Sequence, residues 1–134
     1  MRFFFKYLLL LISLLLITTC ASIGSPSGGE TDKTSPKLIS IYPEAKTNID
    51  DRQTIRLIFN ERINPLYLKS YIRIEPSIDI QIKAKNNEIK IYPVTVWPEN
   101  FKIFISRKIS DYHENKLNNP IELFYSKFDF INTK

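Results

Sequence analysis

Cys20 is the residue of this sequence whose type and position best suit it to chemistry. It is the only cysteine among 134 residues, so it has no partner for an internal disulfide. An odd cysteine in an exported chain is typical of intermolecular pairing or of a thiol that is used chemically. Cys20 stands at the end of an apolar run that begins at Phe3. This position favours a thiol that is used.

The apolar run before Cys20 predicts a signal peptide. Arg2 and Lys6 place positive charge at its start, and no acidic residue occurs before Glu30. The uninterrupted apolar core, residues 7–17, falls short of the roughly 20 residues that a helix needs to cross a bilayer. We therefore expect a helical leader over residues 1–19 that is cleaved between Thr19 and Cys20.

The four residues Ile17-Thr18-Thr19-Cys20 resemble a bacterial lipobox, although Thr19 stands where Gly, Ala or Ser is usual. The resemblance implies that Cys20 becomes the mature N-terminus, linked covalently to diacylglycerol and a further acyl chain, with no other cofactor. It also implies a cell-envelope protein, lipid-anchored at the outer membrane because no Asp follows Cys20 directly, and it leaves the side of that membrane open. The alternatives are conventional secretion, with cleavage after Ala21, and an uncleaved anchor.

The polar loop Asp111–Asn118 contains the candidate ligands and catalytic groups. Asp111, Glu114 and Asn115 offer the oxygen atoms that calcium prefers, but their spacing does not match the twelve-residue calcium loop. No metal is predicted, and these three residues are weak calcium candidates only. The simpler interpretation is a loop whose Asp111 and Asn115 side chains bond nearby backbone amides. His113 is the only histidine and shows no nucleophile or orienting partner, so no catalytic residue is predicted.

Two further acidic segments flank the second predicted strand, Asp50-Asp51-Arg52 and Asn60-Glu61-Arg62. We interpret them as turns with exposed ion pairs, which contribute little to stability. A carboxylate pair for glycoside hydrolysis would need a cleft, and the sequence indicates no groove lined by aromatic residues.

The aromatic residues near the C-terminus predict a core or an interaction edge. Phe124, Tyr125, Phe128 and Phe130 put apolar residues in both phases of the last predicted strand, residues 121–130. Burial on both faces is one interpretation, and an exposed docking edge is the other. The same loss of phase predicts that this strand is bulged or bent.

The charge balance argues against nucleic acid as a partner. The chain has 19 basic and 14 acidic residues, and the leader contains two of the basic ones, so the exported part carries 17 − 14 = +3. Its cations are spread singly among Ile and Phe rather than clustered, which is typical of a solvated surface. The expected partners are the membrane, through the lipid anchor, and envelope proteins or glycans.

The remaining chain divides into a tether and a domain. Residues 20–36 are rich in Gly, Ser, Thr and Pro, which is typical of a flexible linker. Residues 37–134 alternate apolar and polar side chains, with a tight turn at Asn86-Asn87 and a short helical turn from Pro65. The predicted strands are 37–42, 54–60, 71–75, 78–83, 88–92, 101–106 and 121–130. Because no long helix connects them, we expect an all-β fold, an antiparallel Ig-like β-sandwich of about seven strands.

Several turn and strand segments resemble bacterial lipoproteins that carry an Ig-like domain of the S-layer-protein (SbsA) type directly after the lipid anchor. The matching residues are Ala21–Gly29, Asp32, Pro36, Tyr42-Pro43, Ile58–Glu61, Ile74–Pro76, Trp97–Phe101 and Asp111–Leu117. Glu114 departs from the pattern, because Gly is frequent at its position. The resemblance implies a lipid-anchored, non-enzymatic Ig-like module for adhesion, scaffolding or interaction with proteins or glycans. Two alternatives stay open: a small envelope enzyme or enzyme inhibitor that uses the Asp111–Asn118 loop, and a shortened relic of a longer lipoprotein.

Overall fold

The computed structural model describes residues 1–15 and 28–128. Two compact units are present, Met1–Glu30 and Thr31–Lys134. The first contains helix α1, Arg2–Leu15, which agrees with the predicted helical leader. No helix in the described part of the chain is both long enough and apolar enough to cross a membrane.

The second unit is a sandwich of two antiparallel sheets. Its strands and its short helix α2 are, in chain order, β1 Leu38–Tyr42, β2 Ile55–Phe59, α2 Leu68–Tyr71, β3 Ile72–Glu75, β4 Ile80–Lys85, β5 Glu88–Pro93, β6 Asn100–Ile105 and β7 Ile121–Ser126. One sheet has the order β1-β2-β5-β4 and the other the order β3-β6-β7. This is the arrangement of the constant-type immunoglobulin fold. The predicted fold class is confirmed.

Alternation of apolar and polar residues forms the core, because successive side chains of a strand point to opposite faces of its sheet. Ile55, Leu57 and Phe59 of β2 are buried, as are Ile89 and Ile91 of the neighbouring β5. Phe101, Ile103 and Ile105 of β6, in the other sheet, are buried against them. Every residue of this hydrophobic cluster lies between Ile49 and Tyr125. All buried members of this cluster belong to the second unit, so we expect this unit to fold without α1.

The hairpin between β4 and β5 shows why one predicted strand was misplaced. Lys85 pairs with Glu88, so the two-residue turn Asn86-Asn87 follows β4 directly, and Asn86 takes the positive φ of 56° that such a turn requires. The turn was predicted correctly. The strand before it lies at Ile80–Lys85 rather than at 78–83, because pairing continues up to the turn.

The predicted helical turn also starts later than expected. Asn64 Oδ1 accepts a hydrogen bond from the Leu66 N–H at 3.0 Å, but Tyr67 then adopts a left-handed φ of 61°. A left-handed residue interrupts a right-handed helix. Helix α2 therefore begins at Leu68, not at Pro65.

Strand β7 is regular, which corrects the expectation of a bulge or bend between its residues 121 and 126. It pairs with β6 without a register shift from Ile121 to Ser126. Leu123 and Tyr125 point into the core and Phe124 points outward. Apolar residues occur in both phases of this strand because Phe124, although aromatic, lies on the exposed face. Its apolar side chain was therefore a misleading sign of burial.

Two buried aromatic side chains join loops to the core in this disulfide-free sandwich. Tyr125 Oη donates to the Pro43 carbonyl at 2.9 Å, which links β7 to the segment that follows β1 in the opposite sheet. Trp97 Nε1 donates to the Gln53 carbonyl at 2.8 Å. Phe101 lies between the two rings, with centroids 4.6 Å from Trp97 and 5.5 Å from Tyr125. This stack connects the β5–β6 loop to both sheets.

Candidate functional site

The residues with predicted chemistry divide into those that the structure describes and those that it does not. Cys20 and Thr19, the predicted lipidation and cleavage positions, lie outside the described residues, and so does Phe130. Lipidation and cleavage therefore stay predictions. The second compact unit begins at Thr31, and Pro36 is already buried. The bounds of the tether, residues 20–36, and of the domain, residues 37–134, stay predictions.

Asp111 is the most deeply buried charged side chain of the predicted loop, with 1% of its surface exposed. Its Oδ1 accepts hydrogen bonds from the backbone N–H groups of His113 and Asn115, each at 2.8 Å. Its Oδ2 accepts from Asn115 Nδ2 at 2.8 Å. A carboxylate with three donors can be buried at little cost. The prediction that the Asp111 side chain bonds nearby backbone amides is confirmed. The same prediction is wrong for Asn115, whose side-chain amide donates to the Asp111 carboxylate and to the Asp32 carbonyl instead.

The backbone of this loop also explains an unusual residue. Glu114 lies between the two N–H groups that bind Asp111 Oδ1, and its φ is 67°. Glycine adopts this left-handed conformation without the steric cost that a Cβ atom adds. A position at which Gly is frequent in the resembling lipoproteins thus has the backbone that favours Gly.

Asn115 joins the loop to the start of the domain. Its Nδ2 donates to the Asp32 carbonyl at 3.0 Å as well as to Asp111. The Asp32 side chain accepts from the Thr34 N–H at 2.8 Å, and this bond lowers the pKa of Asp32 from its ordinary value. The segment ahead of β1 is therefore fixed against the Asp111 loop through polar contacts.

The side chains whose potential ligand atoms converge differ from the predicted calcium candidates. Asp32, Asp111 and His113 each place one such atom within 4.8 Å of the others. Glu114 is exposed and does not belong to this group, and Asn115 directs its amide nitrogen, which is a donor, toward Asp111. Three ligands are fewer than the six to eight oxygen atoms that calcium takes. The arrangement is a partial cation site at most.

Glu61 completes the cluster and was not predicted to belong to it. Desolvation raises the pKa of Glu61 from its ordinary value, and the nearby carboxylates of Asp111 and Asp32 raise it further. An open depression is lined by these three acidic residues together with Arg62, Tyr112 and His113. The Asn60-Glu61-Arg62 segment had been interpreted as a turn with ion pairs. Its carboxylate instead faces two others, so the site favours a proton or a cation between them.

The predicted aromatic edge is only partly available to a partner. Phe124 and Phe128 are 43% and 60% exposed, but Tyr125 is 1% exposed and lies in the core. The expectation that these aromatics are buried on both faces is therefore wrong for Phe124 and Phe128. The backbone edge of β7 is also occupied, because the Lys46 and Ile49 N–H groups donate to the Phe124 and Ser126 carbonyls. What remains is an exposed aromatic face rather than a free edge.

Comparison with known proteins identifies one family. Residues 32–130 match the family described as "Bacterial Ig-like domain". No curated protein matches the sequence. Among solved structures, an LD transpeptidase in complex with imipenem is similar at 12% identity over 68% of this chain and 39% of that chain, with a TM-score of 0.47. L,D-transpeptidase 3 from Mycobacterium tuberculosis is similar at 11% identity over 66% of this chain and 36% of that one, with a TM-score of 0.45. The chain thus spans less than half the length of either enzyme.

Proposed function

The chain belongs to the bacterial Ig-like domain family, and on that premise we propose that it is a lipid-anchored protein of the cell envelope whose sandwich is a non-enzymatic module for adhesion or scaffolding. The observation that carries the proposal is the position of the family match. It covers residues 32–130 and starts twelve residues after Cys20, the cysteine that ends an apolar leader. An Ig-like module close behind a membrane anchor is suited to hold a binding surface near the bilayer.

The leader residues support the anchor. Arg2 and Lys6 precede a short apolar core, and Ile17 lies three residues before Cys20. Each buried methylene of an acyl chain contributes about 0.8 kcal/mol, and two or more chains give stable membrane attachment. We place the protein at the outer membrane and leave its side of that membrane open.

The packing of the domain supports an interaction role over a catalytic one. The centre of the sandwich is filled by apolar side chains from both sheets. The exposed aromatic residues Phe124 and Phe128 and the charged residues of the sheets lie on outer surfaces. Proteins or glycans of the envelope are the proposed partners, bound on a sheet face or at the loops of one end.

Labelling with palmitate tests the anchor. We expect the wild-type chain to incorporate label, to accumulate as a precursor when the lipoprotein signal peptidase is inhibited with globomycin, and to lose both properties as Cys20→Ser. Ala21→Ser is the matched control and is expected to behave like wild type. A Cys20→Ser chain that stays membrane-bound at the mature size would refute lipidation. Protease treatment of whole cells then determines the side of the membrane.

Crosslinking in intact envelopes tests the interaction role separately. We expect the domain to be captured with a protein or glycan neighbour. Recovery of the monomer alone with several crosslinkers of different reach would contradict adhesion and scaffolding while leaving the anchor untouched.

The acidic cluster favours a second candidate function, a small envelope enzyme or enzyme inhibitor that uses the Asp111–Asn118 loop. Convergent carboxylates with a raised pKa, as at Glu61, are typical of functional sites as well as of structural networks. The first test compares the melting temperature in excess calcium with that in a chelator, because a cation bound by Asp32, Asp111 and His113 would raise it. An unchanged melting temperature would remove a calcium-dependent role of this loop, and unchanged partner capture by Asp32→Asn would remove an inhibitory contact through it.

A further inference from the structure

The outer face of the four-stranded sheet collects cations that are separate in the sequence. Arg56 of β2 lies opposite Lys90 of β5, and Lys90 lies opposite Lys83 of β4. Lys85 occupies the next outward position of β4. The alternate residues of these strands, such as Leu57 and Ile89, are buried, so the four cations point outward together. We call the surface formed by Arg56, Lys83, Lys85 and Lys90 the basic face.

One carboxylate lies among these cations. Glu88 accepts a hydrogen bond from Arg56 Nε at 2.5 Å and has Lys90 Nζ at 3.4 Å. The bond from Arg56 lowers the pKa of Glu88 from its ordinary value, so Glu88 is ionised at neutral pH. Within the four strands of this sheet, four cations thus face a single carboxylate, which leaves an excess of three positive charges among the strand residues.

The cross-strand pairing puts more like charges in register than its one carboxylate offsets, although Glu88 pairs with Arg56 and Lys90 and lies opposite Lys85. Like charges directly opposite each other on neighbouring strands destabilise a sheet, and two such pairs, Arg56 with Lys90 and Lys90 with Lys83, occur in one row. The cost is removed when an anion lies over the row. The register therefore indicates a negatively charged partner for this face.

The other sheet of the same sandwich provides an internal comparison. Its outer face carries Arg73 and Lys102 together with Glu75 and Glu122. Lys102 Nζ lies 3.2 Å from Glu75 and 3.9 Å from Glu122. Charges balance on that face and do not balance on the basic face. The excess is thus specific to one side of the domain rather than a consequence of the overall charge.

Two tyrosines border the cation row, Tyr42 at its β1 end and Tyr92 beside Lys90 on β5. Tyr42 pairs with Arg56 and is exposed, and the Tyr92 ring lies 5.6 Å from Lys83 Nζ. Tyrosine rings have an apolar body and a polar tip, and they are enriched where a membrane meets water. Neighbouring strands lie about 4.8 Å apart, so the cations of three strands form an array about 10 Å wide. An array of this width can contact several headgroups at once.

We propose that the basic face docks on an anionic phospholipid bilayer. The proposal rests on the membrane anchor of the proposed function, because a tethered domain meets the bilayer at a high effective concentration. Each cation near an anionic membrane surface strengthens attachment, and the effect weakens as salt screens it. The domain would then lie with its four-stranded sheet against the headgroups and its other sheet, including Phe124, directed away from them.

Binding to vesicles by the unlipidated domain, residues 28–134, tests the docking independently of the anchor, because this part carries the complete core. We expect sedimentation with vesicles that contain about 30% phosphatidylglycerol in phosphatidylcholine, none with phosphatidylcholine alone, and release at about 0.5 M salt. The double variant Lys83→Glu/Lys85→Glu is expected to lower the partition coefficient at least about tenfold. The milder Lys83→Gln/Lys85→Gln gives a smaller loss and covers the case in which charge reversal impairs folding.

Arg107→Glu/Lys108→Glu is the matched control, because it changes the net charge equally in an exposed turn after β6. We expect it to bind within about twofold of wild type. Equal losses in the two double variants would show that net charge alone drives binding and would overturn the proposal. The proposal would also be overturned if the wild-type domain did not bind vesicles, or if it bound soluble polyphosphate but not vesicles. A failure of palmitate labelling would remove the anchor and leave this vesicle result standing.

Discussion

Replacing Tyr125 with phenylalanine removes one oxygen atom from the core and leaves its packing in place. That oxygen donates a 2.9 Å hydrogen bond to the Pro43 carbonyl. The bond joins β7 of one sheet to the residue that follows β1 of the other, in a sandwich that contains no cysteine and therefore no internal disulfide. Burial of the tyrosine also raises the pKa of its hydroxyl, so the group is a neutral donor throughout the ordinary pH range.

The expected cost follows from the carbonyl that loses its partner. Pro43 is buried, and a buried acceptor without a hydrogen bond costs about 1–3 kcal/mol. The ring of Tyr125 still stacks on Phe101 at 5.5 Å, so no cavity forms. For a domain of about 100 residues, 1 kcal/mol shifts the melting temperature by about 4–8 °C. We therefore expect Tyr125→Phe to lower the melting temperature by about 5–15 °C.

Trp97 supplies the assay. It is the only tryptophan of the chain, it is fully buried, and it stacks on Phe101 with centroids 4.6 Å apart. Its fluorescence during urea unfolding gives the free energy of unfolding and the m-value, which we expect to stay unchanged. Tyr112→Phe removes the same oxygen from an exposed ring and serves as the control. The reasoning is refuted if Tyr125→Phe and Tyr112→Phe both lie within about 0.5 kcal/mol of wild type.

Three further predictions concern the acidic cluster and the Asp111–Asn118 loop. The folded-state pKa of Glu61 lies above its ordinary value, so the ionised Glu61 carboxylate destabilises the fold as the pH rises and the protonated form does not. We therefore expect Glu61→Gln to raise the melting temperature near pH 7 and to leave it unchanged below about pH 4. Glu99→Gln, at an exposed position, is the control and should leave the melting temperature unchanged at both pH values. An equal rise in the melting temperature of Glu61→Gln at both pH values would contradict repulsion between the carboxylates. Asp111→Ala leaves three N–H donors without their acceptor, and chemical unfolding should show a loss of about 2–4 kcal/mol. Glu114→Gly should raise the melting temperature, because φ is 67° there, whereas Glu99→Gly, at a position without positive φ, should lower it.

Much of the sandwich was predictable because burial in a sheet repeats every second residue. Ile55, Leu57 and Phe59 show this period in the sequence, and all three are buried. The turn at Asn86 was equally visible, since asparagine tolerates a positive φ. The prediction was wrong where an apolar residue is exposed. Phe124 disturbed the period and suggested a bulge, although β7 pairs regularly with β6.

Local bonding within the Asp111 loop was also visible in the sequence, because its donors and acceptor are two to four residues apart. Membership of Glu61 in the acidic cluster was not visible. Fifty residues separate Glu61 from Asp111, and the two meet only because the segment after β2 pairs with the loop after β6, at Ile63 and Asp111. Proximity of this kind is a property of the topology.

The sequence by itself determined the class of fold, the turn at Asn86 and the alternating core positions of strands such as β2. Each of these depends on composition or on a short period along the chain. The tertiary structure alone decided which charges lie together. Arg56, Lys83 and Lys90 are spread singly among apolar residues in the sequence, and that spacing suggested an ordinary solvated surface. Because antiparallel register brings β2, β4 and β5 side by side, the same three cations form one row on one face of the domain.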